Sequence, residues 1–171
     1  HAKARGAHIY AEIVGIGLTA DPYHLTASDP EGVGAKNAMQ LAINEAGIEL
    51  NQVDYINTHG TSTIIGDLAE VKAIQDLFAE HAYNISLTSS KSMTGHVLGA
   101  TGAIEAIISV LSMKHSMVTP TINHEKGDED PNIDYKLNFT FNQAQPREIN
   151  YAMSNNFGFG GHNACLLFKR I

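Results

Sequence analysis

The sequence predicts an α/β fold, with a mainly parallel mixed sheet covered on its faces by helices. Three observations carry this reading. Strand-like segments alternate with segments of helical periodicity in the order β-α-β-α-β-α-β-β, the pattern of a parallel sheet wrapped by helices. Polar, glycine-rich clusters fall at strand C-terminal ends or in the last inter-strand turn, the edge where open α/β sheets bind ligands. With 171 residues, 43% of them apolar, the chain has the length of one unit and can bury a real core.

The elements follow in order. In Ala7 to Gly17, Ile9, Ala11 and Ile13 alternate with Tyr10 and Glu12, which predicts a strand. Asp21-Pro22 and Asp29-Pro30 mark a loop. Gly34 to Ala46 reads as a helix with Ala35, Ala38, Met39, Ala42 and Ala46 on one face, stopped by Gly47; its small residues would let it lie close to a sheet. Val53 to Asn57 is a short strand running into Thr58-His59-Gly60-Thr61-Ser62-Thr63. Asp67 to Glu80 is a second helix, buried through Leu68, Val71, Ile74, Leu77 and Phe78, with Asp67 and Glu70 near its positive end. Ile85 to Ser89 is a third strand, ending in Ser90-Lys91-Ser92-Met93-Thr94-Gly95-His96. Gly102 to Lys114 is a third helix, apolar nearly all round and so expected to be buried. Residues 115 to 136 read as loop and 137 to 141 as a short strand. Tyr151 to Ser154 and Ala164 to Lys169 are two final strands joined through Asn155-Asn156-Phe157-Gly158-Phe159-Gly160-Gly161-His162.

Composition excludes several classes. No apolar run reaches the roughly 18–20 residues of a membrane span. Eleven Lys and Arg against eighteen Asp and Glu give −7, and the basic residues are scattered, which argues against nucleic acid as partner. The single Cys165 excludes an internal disulfide framework and a CxxC metal or redox site, and it stands in an apolar strand where a buried structural thiol is expected. With no signal-type segment following His1, a reducing, cytoplasmic compartment is the expectation. Asp128, Asp130, Asn132 and Asp134 alternate like a calcium loop, but Ile133 replaces the turn glycine and Phe139 the bidentate Glu. No metal-type histidine spacing links His59, His96 and His162, so no metal is expected.

The three loops carry the chemistry. His59, flanked by Gly60 and hydroxyl residues, can donate to a carbonyl oxygen or take a proton; its plainer reading is a cap on the following helix. Lys91 and His96 share a loop that enters a helix N-terminus, suited to developing negative charge; the plainer reading is a solvated lysine and a core histidine. Phe157-Gly158-Phe159-Gly160-Gly161 sets bulky walls on a permissive backbone, or is simply a glycine-rich hairpin.

Taken together, N-T-H-G-T-S-T (57–63) with G-D (66–67), S-S-K-S-M-T-G-H-V-L-G-A-T-G-A-I-E (89–105), P-T-I-N (120–123) and N-N-F-G-F-G-G-H-N-A (155–164) strongly resemble the β-ketoacyl-acyl-carrier-protein synthases, most of all the synthase II type. The resemblance spans essentially the whole chain. It implies a thiolase-like fold of which residues 1–171 form the C-terminal half. It implies decarboxylative condensation of an enzyme-bound acyl thioester with malonyl-carrier protein. His59 and His96 would be the catalytic histidines that hold the thioester carbonyl as the enolate forms, and Lys91, paired with Glu105, would organise them. Thr61 and Thr63 would bind the phosphopantetheine arm, which the carrier protein brings, so that no other cofactor is expected. Asp67 would support the His59 loop. The Phe159 N–H would contribute to an oxyanion hole and its ring would gate the acyl pocket, with Phe157 beside it and Gly158 and Gly160 shaping the turn. The family nucleophile is a Cys at a helix N-terminus in the first half, and nothing in this sequence matches that segment. Implied partners are acyl carrier protein, the N-terminal half and a second subunit. The alternatives are a non-condensing malonyl decarboxylase and a non-catalytic, chain-length-factor-like subunit.

Overall fold

The computed structural model describes residues 1–127 and 129–171; Asp128, in the acidic loop, lies outside them. The main sheet has six strands. They are β1 (Glu12–Ala20), β2 (Tyr55–Asn57), β3 (Ser86–Thr88), β5 (Asn138–Phe139), β7 (Tyr151–Gly158) and β8 (His162–Lys169), in the spatial order β1-β8-β7-β2-β3-β5. β2 runs parallel to both β7 and β3, and β3 to β5; β1 and β7 flank β8 antiparallel. A separate ribbon pairs β4 (Met117–Val118) with β6 (Gln145–Pro146). The helices are α1 (Val33–Ala46), α2 (Ile64–Phe78), the single turn α3 (Lys91–Thr94) and α4 (Thr101–His115). The mixed, mostly parallel α/β architecture is the one the sequence predicts; α3, β4 and β6 are short additions, and the short strand read at 137–141 is β5, one strand more than the order β-α-β-α-β-α-β-β counts.

Pleating divides the sheet into two faces. Ile56, Leu87, Met153, Cys165 and Leu167 point toward α1 and α2 and form the larger core with Ala38, Met39, Ala42, Ile74 and Leu77. Tyr55, Ala152 and Phe168 point the other way and form a smaller core with Met113 of α4, Val118 and Ile149. Why α1 can lie so close is legible in its partner strand. A Cβ on Gly15 would strike the Ala42 carbonyl and one on Gly17 the Ala38 carbonyl, so helix backbone rests on strand backbone. Gly47 ends α1 in the left-handed region at φ 65°, its N–H returning to Asn44 and Ile43.

Three expectations need correction. β1 starts at Glu12 and runs to Ala20, because its inward positions are Gly15 and Gly17, whose missing side chains hide the alternation. β7 continues to Gly158 and β8 begins at His162, so Asn155, Asn156 and Phe157 are strand residues and only 159–161 form the turn. α4 is not buried all round. Its polar stripe, Thr101, Glu105, Ser109 and Ser112, faces inward, while Ile107 is 60% exposed.

Candidate active site

All three polar loops meet at the C-terminal edge of β2 and β3. β2 delivers His59 two residues beyond its end, β3 delivers Lys91 through α3, and the chain turns at Gly95 to bring His96 back before α4. The rings of His59 and His96 stand edge to face with centroids 5.7 Å apart, and the Phe157 ring lies 5.4 Å from that of His59. A cleft of roughly 930 Å³ opens beside this cluster, lined by Thr61, Thr63, Asp67, Lys91 and His96 and continuing to Phe141.

The His59 loop is held from below by a residue whose importance the sequence did not signal. Glu70, on the inward side of α2, accepts the backbone N–H of His59 through Oε1 and of Gly60 through Oε2, both at 2.9 Å. Asn155 Nδ2 donates to the same Oε1 at 3.1 Å. Burial nevertheless dominates these bonds and pushes the Glu70 carboxyl up to about 7. Asp67 reaches the loop further along, where its Oδ1 accepts the Ser62 N–H. Burial drives the His59 imidazole down to about 3, with help from the positive charge of Lys91 and from His96, so the ring is neutral at physiological pH. Its Nδ1 is buried and has no hydrogen-bond partner among the described residues.

His96 is oriented differently. Leu98 takes φ 53°, unusual for a branched side chain, and aims its N–H at Nδ1 (3.3 Å). Thr101 Oγ1 lies 3.0 Å from the same nitrogen. Nδ1 is thereby an acceptor, and in the neutral ring the proton sits on Nε2. Behind it, Lys91 Nζ and Glu105 Oε1 form a buried ion pair at 2.7 Å. Burial raises the Glu105 carboxyl, with Lys91 the main opposing influence. Ser90 and Asn57 line the back of this pair, with the Asn57 amide donating to Ser90 Oγ at 3.2 Å.

The remaining residues singled out in the sequence are dispersed around this centre. The hydroxyls of Thr61 and Thr63 lie 3.2 Å apart on the cleft wall. Phe159 sits at the tip of the turn between β7 and β8 with its side chain 77% exposed. Gly160 donates its N–H to the Leu25 carbonyl at 2.7 Å. Gly161, at φ 77°, leaves no room for a Cβ against the Asp21 carbonyl, so the turn is sewn to the loop after β1. Gly158 closes the ladder opposite His162, which is exposed. Cys165 is fully buried in β8, where desolvation pushes its thiol up. Among the described residues no group of His, Cys, Asp and Glu has metal-binding geometry.

Three comparisons bear on what this arrangement is. Residues 10–125 match the family model described as beta-ketoacyl synthase, C-terminal domain. The chain is 57% identical over 170 residues to 3-oxoacyl-[acyl-carrier-protein] synthase 2 of Staphylococcus aureus (strain COL), covering 99% of this chain and 40% of that protein. It is 48% identical to the synthase of the same name from Coxiella burnetii, over 100% of this chain and 40% of the other. The chain thus spans about 40% of the length of the curated relatives it matches. Among solved structures, a beta-ketoacyl synthase from Burkholderia phymatum superposes with TM-score 0.91 at 42% identity, over 100% of this chain and 40% of the other. A type II PKS acyl-carrier protein in complex with its ketosynthase bound to the hexaketide superposes with TM-score 0.94 at 36% identity, over 100% and 41%.

Proposed function

The chain belongs to the β-ketoacyl synthase family, and from that membership we propose that residues 1–171 form the malonyl-handling half of a 3-oxoacyl-[acyl-carrier-protein] synthase. The observation that carries the reading is the pair of imidazoles in edge-to-face contact beside the cleft, His59 kept neutral by burial and His96, on the cleft wall, fixed as an Nε2 donor. In the reaction proposed, malonyl thioester loses CO₂ as its C–C bond breaks, and the electron pair becomes an enolate on the thioester oxygen. His59 and His96 hold that oxygen by hydrogen bonds, placed where the negative charge develops. The enolate carbon then attacks an acyl thioester carbonyl, the new C–C bond forms, and thiolate leaves. Lys91 acts as positioning cation, neutralised by Glu105 so that its charge is held at a fixed point.

The acyl-bearing nucleophile is assigned outside these residues, since the buried Cys165 thiol cannot be reached from the cleft. Thr61 and Thr63 are proposed to bind the phosphopantetheine arm of an acyl carrier protein, a partner suggested by the carrier–ketosynthase complex among the structural relatives. The exposed flank of α4 and the outer face of β1, with Ile13, Ile16, Leu18, Ile107 and Leu111, are the surface assigned to the other half of the enzyme.

The test is malonyl-carrier-protein decarboxylation by the intact enzyme. His59→Ala is expected to abolish it, a loss of roughly 10²–10³-fold for one such donor. Undiminished decarboxylation would refute the role given to His59.

A further inference from the structure

Glu70 is buried, yet no cation among the described residues touches it. Its three partners are all donors: the N–H groups of His59 and Gly60 and the Asn155 amide. A carboxylate satisfies all three. A protonated carboxyl does not, because its own O–H then needs an acceptor and finds only donors. One atom in contact can supply that acceptor. Asn155 Oδ1 is buried and without a partner among the described residues, so rotating the amide would turn oxygen toward Glu70. The orientation of Asn155 and the charge on Glu70 are therefore coupled.

We propose that Asn155 is a positioning residue for the His59 loop: by presenting its amide N–H to Glu70 it holds that carboxyl ionised, and so keeps both backbone anchors of the loop in place. The proposal rests on the reading of His59 given above and adds a residue from the glycine-rich strand to its support. It also links the two loops. Asn155 precedes Phe157 by two positions on β7, so movement of the β7–β8 turn bears on the anchor beneath His59.

The surroundings of Glu70 decide its titration. Lys91 favours the carboxylate from the far side of the loop. Asp67 lies one turn earlier on α2, Asp21 and Asp29 line the same small cavity, and the Cys165 thiol faces it from β8. His59 titrates near 3, far below the carboxyl it leans on near 7, so a step at neutral pH is not its own.

The experiment measures malonyl decarboxylation against pH in the intact enzyme, together with amide hydrogen exchange at His59 and Gly60. In the parent protein both readouts should step near neutral pH, with kcat falling and exchange rising as pH is lowered. Asn155→Leu should move both steps to higher pH by about one unit, the tenfold equivalent of one lost hydrogen bond, with KM little changed. Asn155→Asp, nearly isosteric, should move them further and covers the case in which the leucine variant does not fold. In a Glu70→Gln background the step should vanish and substitution of Asn155 should shift nothing. A uniform fall in rate with an unmoved pH profile and unmoved exchange would overturn the proposal, leaving Asn155 a packing residue. If nothing decarboxylates but the exchange step persists and moves in Asn155→Leu, the reading of function fails while this linkage stands. If the exchange does not step with pH at all, the linkage is refuted whatever the activity.

Discussion

The two faces of the sheet are built on opposite rules. Toward α1 and α2 the strands present Ile56, Leu87, Met153 and Leu167, and the glycines of β1 let α1 settle on the backbone. Toward α4 the same strands present Tyr55, Asn57, Ser86, Thr88 and Ser154, and α4 answers with Glu105, Ser109 and Ser112. The outer side of α4 and of β1 then carries the aliphatic residues. One face is a conventional core closed within the chain. The other sets buried polar groups beside a small apolar core of Tyr55, Ala152, Phe168 and Met113, and carries further apolar groups on its outer side. The cleft draws one support from each: Glu70 from the closed face holds His59, and the Lys91–Glu105 pair from the polar face stands behind His96.

The sharpest way to break this contrast is to change one side chain on each side of β1. Gly17→Ala forces its methyl into the Ala38 carbonyl and should cost about 3 kcal/mol or more, seen as a large drop of the midpoint in a denaturant titration. Ile16→Ala, on the opposite side of the same strand and 46% exposed, should change the stability of this chain by no more than about 0.5 kcal/mol. A cost above 2 kcal/mol for Ile16→Ala would mean that the outer face is already covered. Next in size, Lys91→Met leaves Glu105 buried and unpaired, at about 3–5 kcal/mol. The double variant Lys91→Met/Glu105→Met should recover most of that loss, measured by the same unfolding midpoint. Leu167→Ala in the closed core should cost about 2–5 kcal/mol, while Ile107→Ser on the outer flank of α4 should be near neutral and should lower hydrophobic-dye binding.

The smallest net effect is in the pH dependence of stability, where two contributions oppose each other. His59 has a depressed folded pKa of about 3. Its contribution is present above the unfolded value of 6.5 and is lost as pH falls from there toward 3. Glu70 has a raised folded value of about 7. It favours the folded state fully below its unfolded value of 4.5 and loses that contribution as pH rises through 7. Between 4.5 and 6.5 the two slopes run in opposite directions, so stability in that interval should be flat. Glu70→Gln should unmask the His59 slope, seen as thermal midpoints that fall steadily with acidification.

Much of this site can be read in the sequence, because loops that follow strands in an α/β chain are carried to one edge whatever the details of packing. His59, Lys91 and His96 converge for that reason, and Phe157 meets them from within β7. What escapes is whatever depends on which way an element faces. Glu70 reads as an ordinary acid in the first turns of a helix until α2 is seen to turn it inward. α4 has aliphatic residues on every side, so periodicity alone does not reveal that the stripe through Thr101, Glu105, Ser109 and Ser112 is the one in contact. The signal was there in the spacing of its polar residues, four, four and three apart, which marks one face as surely as an apolar stripe does. The bounds of β1, though not the strand itself, escape for the same reason, since its inward residues Gly15 and Gly17 have no side chains to alternate.

β7 carries two adjacent asparagines, and the pleat sends them to opposite sides: Asn155 to Glu70, Asn156 toward Gly102 at the start of α4. A single-residue insertion or deletion upstream in this strand would exchange them, and with them every residue that follows, from one side to the other. Descendants of this sequence can therefore vary the strand by substitution, or lengthen it two residues at a time, but an odd change of length would set both halves of the site out of phase in one event.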